Sequence, residues 1–161
     1  NAITGSTGAG VKPGATSHFS WRNNNMSVYK PFQHQHVPEI KQSLKQLQNS
    51  FDSEIDFIPY RGDFPRGIFC TIVVKTKVEI EEIVRMYKEY YAKDSFTHIV
   101  EKNIDLKQVV NTNKCLIHLE KHGDKLLIIS CVDNLLFRRT CSRVVFEKEI
   151  DIFACINLNH L

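Results

Sequence analysis

Residues 68–75 read IFCTIVVK. A mostly apolar run of this length, rich in β-branched residues, predicts a central strand. Thr76 and Glu79 follow in the T-x-x-E spacing of a helix capping box. Ile80, Ile83, Val84, Tyr87 and Tyr91 then recur on one face of a helix predicted over 77–92. A central strand that feeds an amphipathic helix requires a sheet with a helix packed on it. Further strands are predicted at 55–60 and 96–100. Residues 115–120 and 125–132 flank His122-Gly123-Asp124 and read as a hairpin. Ile40, Leu44, Leu47 and Phe51 predict a second amphipathic helix over 38–50. Residues 18–32 read as extended segments broken by Asn23-Asn24-Asn25, and residues 104–110 carry no clear signature. Two helices and about six strands, without strict β-α-β alternation, predict an α+β fold: a mixed, mainly antiparallel sheet with helices on one face.

At 161 residues, the chain has the length of one domain with an appendage. It is 42% hydrophobic and 24% charged, enough for a substantial core. The formal charge of +3 is mild and the basic residues are scattered, which argues against a nucleic-acid partner. The longest apolar runs are strand-length, so no membrane span is expected. Cys70, Cys115, Cys131, Cys141 and Cys155 are odd in number, form no C-x-x-C pair and sit among apolar residues. That usage fits reduced, buried thiols in a cytoplasmic protein. No secretory or transit segment is visible. The chain opens without methionine inside a Gly/Ser/Thr-rich loop, so it is expected to be a piece of a longer protein. The expected division is a loop over 1–17, one domain over 18–135 and a tail over 136–161, whose apolar residues have no clear period.

The stretch that carries chemistry is His34-Gln35-His36-Val37-Pro38-Glu39-Ile40. If it is extended as far as His36, the two imidazoles share a face. Pro38 suits the first helical position, and Glu39 then falls where a carboxylate complements the helix dipole. An H-x-H pair can also hold a metal, but zinc needs three or four ligands and no second His/Cys cluster is apparent. Gly5, Gly8 and Gly10 superficially resemble a dinucleotide loop. However, the glycine order is wrong and only four residues precede it, which leaves a flexible linker or a loop whose N–H groups meet an anion.

Four landmarks in order resemble the C-terminal, substrate and dimerisation domain of the N-acetyl-gamma-glutamyl-phosphate reductase family. Ser6-Thr7-Gly8-Ala9-Gly10 is similar to its S-x-S-G-A-G-R loop, and the histidine stretch to H-R-H-T-P-E-I. Phe57-Ile58-Pro59 with Pro65-Arg66-Gly67-Ile68 resembles F-x-P-H…P-x-x-R-G-I. Thr112-Asn113-x-Cys115 with Asp133-Asn134-Leu135 resembles T-N-x-C and D-N-L. The set covers about residues 4–135. Val11-Lys12 stands where the family has arginine, Gln35 and Val37 replace Arg and Thr, and the Gly/Ala-rich helix after D-N-L has no counterpart.

The resemblance implies a fold like the C-terminal domain of glyceraldehyde-3-phosphate dehydrogenase. It also implies a parent enzyme of arginine biosynthesis that reduces an N-acyl-gamma-glutamyl phosphate to its semialdehyde with NADP(H) through a cysteine thioester. His36 would be the acid/base and His34 its neighbour. Ser6, Gly8, Gly10, Arg66 and Glu39 would lie on the substrate side or support it. The cofactor domain and the S-N-P-G-C nucleophile are missing, so this chain alone should bind no cofactor and be inactive. A homodimer or tetramer is implied. Competing readings are an aspartate-semialdehyde dehydrogenase-like domain and a non-catalytic homodimerisation module.

Overall fold

The computed structural model describes residues 1–9 and 14–133. Seven strands form one sheet among them: β1 (Ala2–Thr4), β2 (Ser27–Val28), β3 (Pro59–Arg61), β4 (Ile68–Lys75), β5 (Thr97–Val100), β6 (Cys115–His122) and β7 (Lys125–Val132). Their order is β2-β3-β1-β4-β7-β6-β5. β1 runs parallel to β3, and β5 to β6. The pairs β2/β3, β1/β4, β4/β7 and β6/β7 are antiparallel. This is the mixed, mainly antiparallel sheet the sequence predicts. The helices are α1 (Phe19–Arg22), α2 (His36–Leu47) and α3 (Ile80–Tyr90).

Strand β4 occupies the run IFCTIVVK, and α3 follows it. Ile83, Tyr87 and Tyr91 pack on Ile72, Ile117, Leu119, Ile128 and Val132, which face α3 from β4, β6 and β7. The opposite face of the sheet buries Leu116, Ile129 and Cys131 beneath Ile104 and Val109. β6 is therefore buried on both faces over Cys115–Leu119, which is why its apolar run is nearly continuous rather than alternating. The hairpin turn is Gly123-Asp124, with Gly123 at φ +61. The segment 104–110 contains a short 3-10 turn, Leu106–Gln108, with Asp105 accepting from the Lys107 N–H. Helix α2 builds a separate small core from Ile40, Leu44 and Phe51.

Three expectations shift. α3 begins at Ile80, because Thr76 does not cap it: the Thr76 hydroxyl accepts from the Val78 N–H at 3.0 Å, closing a local turn instead. The Glu79 carboxylate pairs with Lys121 Nζ at 3.3 Å rather than reaching back to a capping residue. Residues 19–22 are helical, not extended, with His18 Nδ1 accepting from the Ser20 N–H. The helix forms because Arg22 turns inward, as described below. Residues 2–4, too short to predict as a strand, pair on both sides as β1. The tail expected over 136–161 lies outside the described residues.

Candidate functional site

Helix α2 starts at His36, two residues before the predicted Pro38. Pro38 becomes the third helical residue, where its missing N–H is still one that no helical carbonyl would accept. Gln35 is the N-cap but makes no side-chain cap bond. His34 does that work from one residue further out: its Nδ1 accepts from the His36 N–H at 3.3 Å. The chain is not extended through this stretch, since Gln35 sits at φ −58, ψ −22. The turn nevertheless brings the two imidazoles together, with ring centroids 4.7 Å apart. One helical turn on, Glu39 Oε2 lies 2.6 Å from His36 Nδ1. That contact turns the Nδ1 edge of the His36 ring towards the carboxylate.

Sheet edge and aromatic rings set the position of His34. The Tyr29 N–H donates to the Pro59 carbonyl and the Phe32 N–H to the Phe57 carbonyl, tying this segment to β3. The His34 ring then meets Tyr29 and Phe57 edge-on, each at 5.4 Å. Burial lowers the pKa of His34 below its usual 6.5, the positive ends of His36, Lys30 and Arg61 lower it further, and Glu39 opposes them. Between that lowered value and 6.5 the unfolded chain binds more protons at this site than the folded one. Stability therefore rises with pH through the window and falls on acidification. Urea midpoints measured from pH 7.5 down to about 5 should drop less for His34→Asn than for the unsubstituted chain. Identical slopes would remove His34 from the acid response.

The remaining sequence candidates assemble at the other end of β3. The Gly5 N–H donates to the Gly67 carbonyl, Ser6 to Phe64 and Thr7 to Pro65. A Cβ on Gly5 would lie 2.7 Å from the Phe64 oxygen, so only glycine allows this approach. Ser6 and Gly8 belong to a 3-10 turn, Ser6–Ala9, while Gly10 lies outside the described residues. The N–H groups of Ser6 and Thr7 are thus engaged by carbonyls. Arg66 grips Asp133 with two bonds, Nε to Oδ2 and Nη2 to Oδ1, each at 3.0 Å. Asp133 is fully buried and also accepts from the N–H of Asn111, which sits at φ +64. The Thr112 hydroxyl closes the same turn onto the Val109 carbonyl. The loop, Pro65-Arg66-Gly67, Thr-Asn-x-Cys and Asp133 landmarks, far apart in sequence, form one knot. The parallel register Ala2↔Pro59 and Thr4↔Arg61 sets this knot beyond Arg61, with the histidines on the Pro59 side.

Two arginines of the region carry no sequence signal beyond aromatic neighbours. Arg22 is 4% exposed. Its guanidinium donates to the carbonyls of Thr16, Asn25 and Arg61 and to Ser27 Oγ, knitting the 14–28 segment to β3. Arg61 lies over the Tyr29 ring, 4.7 Å from its centroid, and donates to Thr16 Oγ1.

Neither Cys115 nor Cys131 is placed to act as a nucleophile. Cys131 is fully buried, and burial is the main cause that pushes its thiol up to about 12, far from the thiolate a nucleophile needs. Cys115 is buried as well. Cys141 and Cys155 lie outside the described residues. Strand β1 is three residues long, and the N–H groups of Ser6 and Thr7 that follow it are engaged by carbonyls. Among the described residues, no group of three or more His, Cys, Asp or Glu side chains is arranged to hold a metal ion, and no helix is long and apolar enough to cross a membrane.

Comparison with known proteins gives three kinds of likeness. The chain is 92% identical over 136 residues to the N-acetyl-gamma-glutamyl-phosphate reductase of Bacteroides fragilis (strain ATCC 25285), and 58% identical over 135 residues to that of Flavobacterium johnsoniae. Each match covers 84% of this chain and 42% of the relative, so the chain spans less than half the length of these proteins. Among solved structures, an aspartate semialdehyde dehydrogenase from Francisella tularensis superposes with a TM-score of 0.53 at 14% identity, over 75% of this chain and 39% of that one. At that identity the likeness concerns the fold. The sequence model described as "Semialdehyde dehydrogenase, dimerisation domain" matches residues 1–134. That match takes in all the landmarks up to Asp133, and the chain belongs to the semialdehyde dehydrogenase dimerisation-domain family.

Proposed function

We propose that this chain is the substrate and dimerisation part of an enzyme that reduces N-acetyl-gamma-glutamyl phosphate to the semialdehyde with NADPH, a step of arginine biosynthesis in the cytoplasm. The observation that carries the reading is the His36–Glu39 pair, 2.6 Å apart at the start of α2. It is supported by the 92% identity with a reductase of that name. The pyridine nucleotide and the nucleophilic cysteine belong to the part of a longer protein that this chain does not span, and the nucleotide would supply the hydride there.

Within this chain, His36 is the acid/base. Glu39 holds Nδ1–H, fixing the tautomer, so Nε2 can take the proton of an incoming thiol and return one to the substrate oxygen later. An imidazole suits both directions because its pKa lies near neutrality. His34 sets the orientation of His36 by capping α2 through its main-chain N–H. Ser6, Gly8 and Arg66 shape the substrate side from the knot. Arg66 holds Asp133 with its Nε–Nη2 edge, and its Nη1 edge is what it can offer an anion. The family is one of dimerisation domains, so we assign the working form to a homo-oligomer, a dimer or tetramer.

The close relatives, named as N-acetyl-gamma-glutamyl-phosphate reductases, favour this substrate over aspartate semialdehyde, whose dehydrogenase is similar in fold. The test is a full-length chimera in which this chain replaces the matching 136 residues of the Bacteroides fragilis relative. Turnover of the acyl phosphate with NADPH should lie within about tenfold of that relative, given typical kcat ranges. A folded but inactive chimera would favour a module that only assembles.

A further inference from the structure

Arg61 stands between the histidine pair and the knot, and its guanidinium joins the histidines through a continuous line of rings. It lies 4.7 Å from the Tyr29 centroid, Tyr29 lies 5.4 Å from His34, and His34 lies 4.7 Å from His36. Its side-chain hydrogen bond goes from Nη1 to a neutral oxygen, Thr16 Oγ1, at 3.0 Å. Among the described residues no carboxylate pairs with it. This is the reverse of Arg66, whose guanidinium is neutralised by a buried aspartate.

Arg61 does not need its charge to hold the neighbouring loop. Arg22 already donates to the Thr16 carbonyl from Nε and Nη2, and to the Arg61 carbonyl from Nη1 at 2.7 Å. Lys30 is a further positive group whose charge acts on His34. Glu39, the carboxylate that acts on His34, is in contact with His36. A half-buried guanidinium resting on an aromatic face and held by a single hydroxyl keeps most of its donor fork for a planar or tetrahedral oxyanion.

We propose that Arg61 holds an oxyanion of the substrate, its carboxylate or its phosphate, at the Tyr29 end of the line of rings that leads to His34 and His36, and so determines which acyl compounds the site accepts. This inference rests on the reductase reading above. It is tested in the full-length chimera, run in the reverse direction so that the two anions enter separately as semialdehyde and inorganic phosphate. Arg61→Gln keeps a donor for Thr16 and removes the charge; Arg61→Lys keeps the charge and removes the fork. Arg61→Gln should raise the KM of one of the two anions about 10- to 100-fold, as loss of a charge-assisted bond predicts, with kcat within about threefold, because a ground-state anchor was removed. Arg61→Lys should fall between, and added guanidinium ion should lower the raised KM. A raised KM for the semialdehyde identifies the carboxylate, and one for phosphate identifies the phosphate. Unchanged KM values for both overturn the proposal while leaving the reductase reading intact.

If the unsubstituted chimera is inactive, the reductase reading fails, and the anion site is decided on this chain by itself. Titration with inorganic phosphate or N-acetylglutamate should shift the ring resonances of His34 and His36, and Arg61→Gln should abolish the shift. No shift in the unsubstituted chain would overturn the proposal as well.

Discussion

Replacing His36 by asparagine in the full-length chimera should lower kcat by a factor on the order of 100 or more, with KM for the acyl phosphate changed by less than about threefold. Asparagine is chosen for what it keeps. Its amide nitrogen can still donate to Glu39 Oε2, which lies 2.6 Å from His36 Nδ1 in this structure. The main-chain N–H of residue 36 can still reach His34 Nδ1, so the start of α2 should hold. What asparagine cannot do is exchange a proton near neutral pH. Glu39→Gln is the companion variant: it keeps a side chain of the same size at the same place but loses the carboxylate that holds His36 Nδ1. It should lower kcat less than His36→Asn. The readout is steady-state kinetics with the acyl phosphate over pH 5 to 9. Wild-type turnover in His36→Asn would take His36 out of the chemistry and leave the dimerisation module as the better description.

The largest effect on stability is expected at Asp133. Its carboxylate is fully buried, paired twice with Arg66, and it accepts the Asn111 N–H at 2.7 Å. Asp133→Ala would leave a partly buried guanidinium without its counter-charge and a turn without its acceptor. Breaking one side of such a pair costs about 3–5 kcal/mol, which urea unfolding would register directly. Removing both partners together, as Asp133→Leu with Arg66→Met, should cost less than Asp133→Ala alone, because no charge is then left uncompensated. A double variant as unstable as the sum of the singles would show that the two side chains act independently.

These two sites differ in how far the chain's order of residues reveals them. The histidine stretch is local. His34, His36 and Glu39 lie within one turn and its approach, so their meeting depends on a few backbone angles. The expected extended conformation was replaced by a turn at Gln35, yet the same side chains came together. The role of Arg66 was not local. A loop arginine before glycine is equally compatible with an anion, with solvent or with a partner, and the choice was made by Asp133, 67 residues away. The same holds for Thr76 and Glu79. Their spacing suits a capping box, but a turn at Val78 and an ion pair with Lys121 claimed both side chains. Arg22 and Arg61 were invisible for a related reason: nothing in a short window tells that a cation will be covered or laid on a ring by segments that arrive from elsewhere.

Periodicity along the chain determined the strands of 68–75 and the 115–132 hairpin, the amphipathic helix after Thr76, the α+β class and the place of the His–Glu pair. All of these follow from contacts within a few residues and from which side chains avoid water. Tertiary structure alone decided that β1 pairs between β3 and β4, that Asp133 closes a knot with Arg66 and Asn111, and that Arg61 lies on the Tyr29 ring with no carboxylate partner among the described residues. Each of these depends on bringing together residues tens of positions apart. Which polar group meets which is then settled by burial and register, and neither is written in any short stretch of the chain.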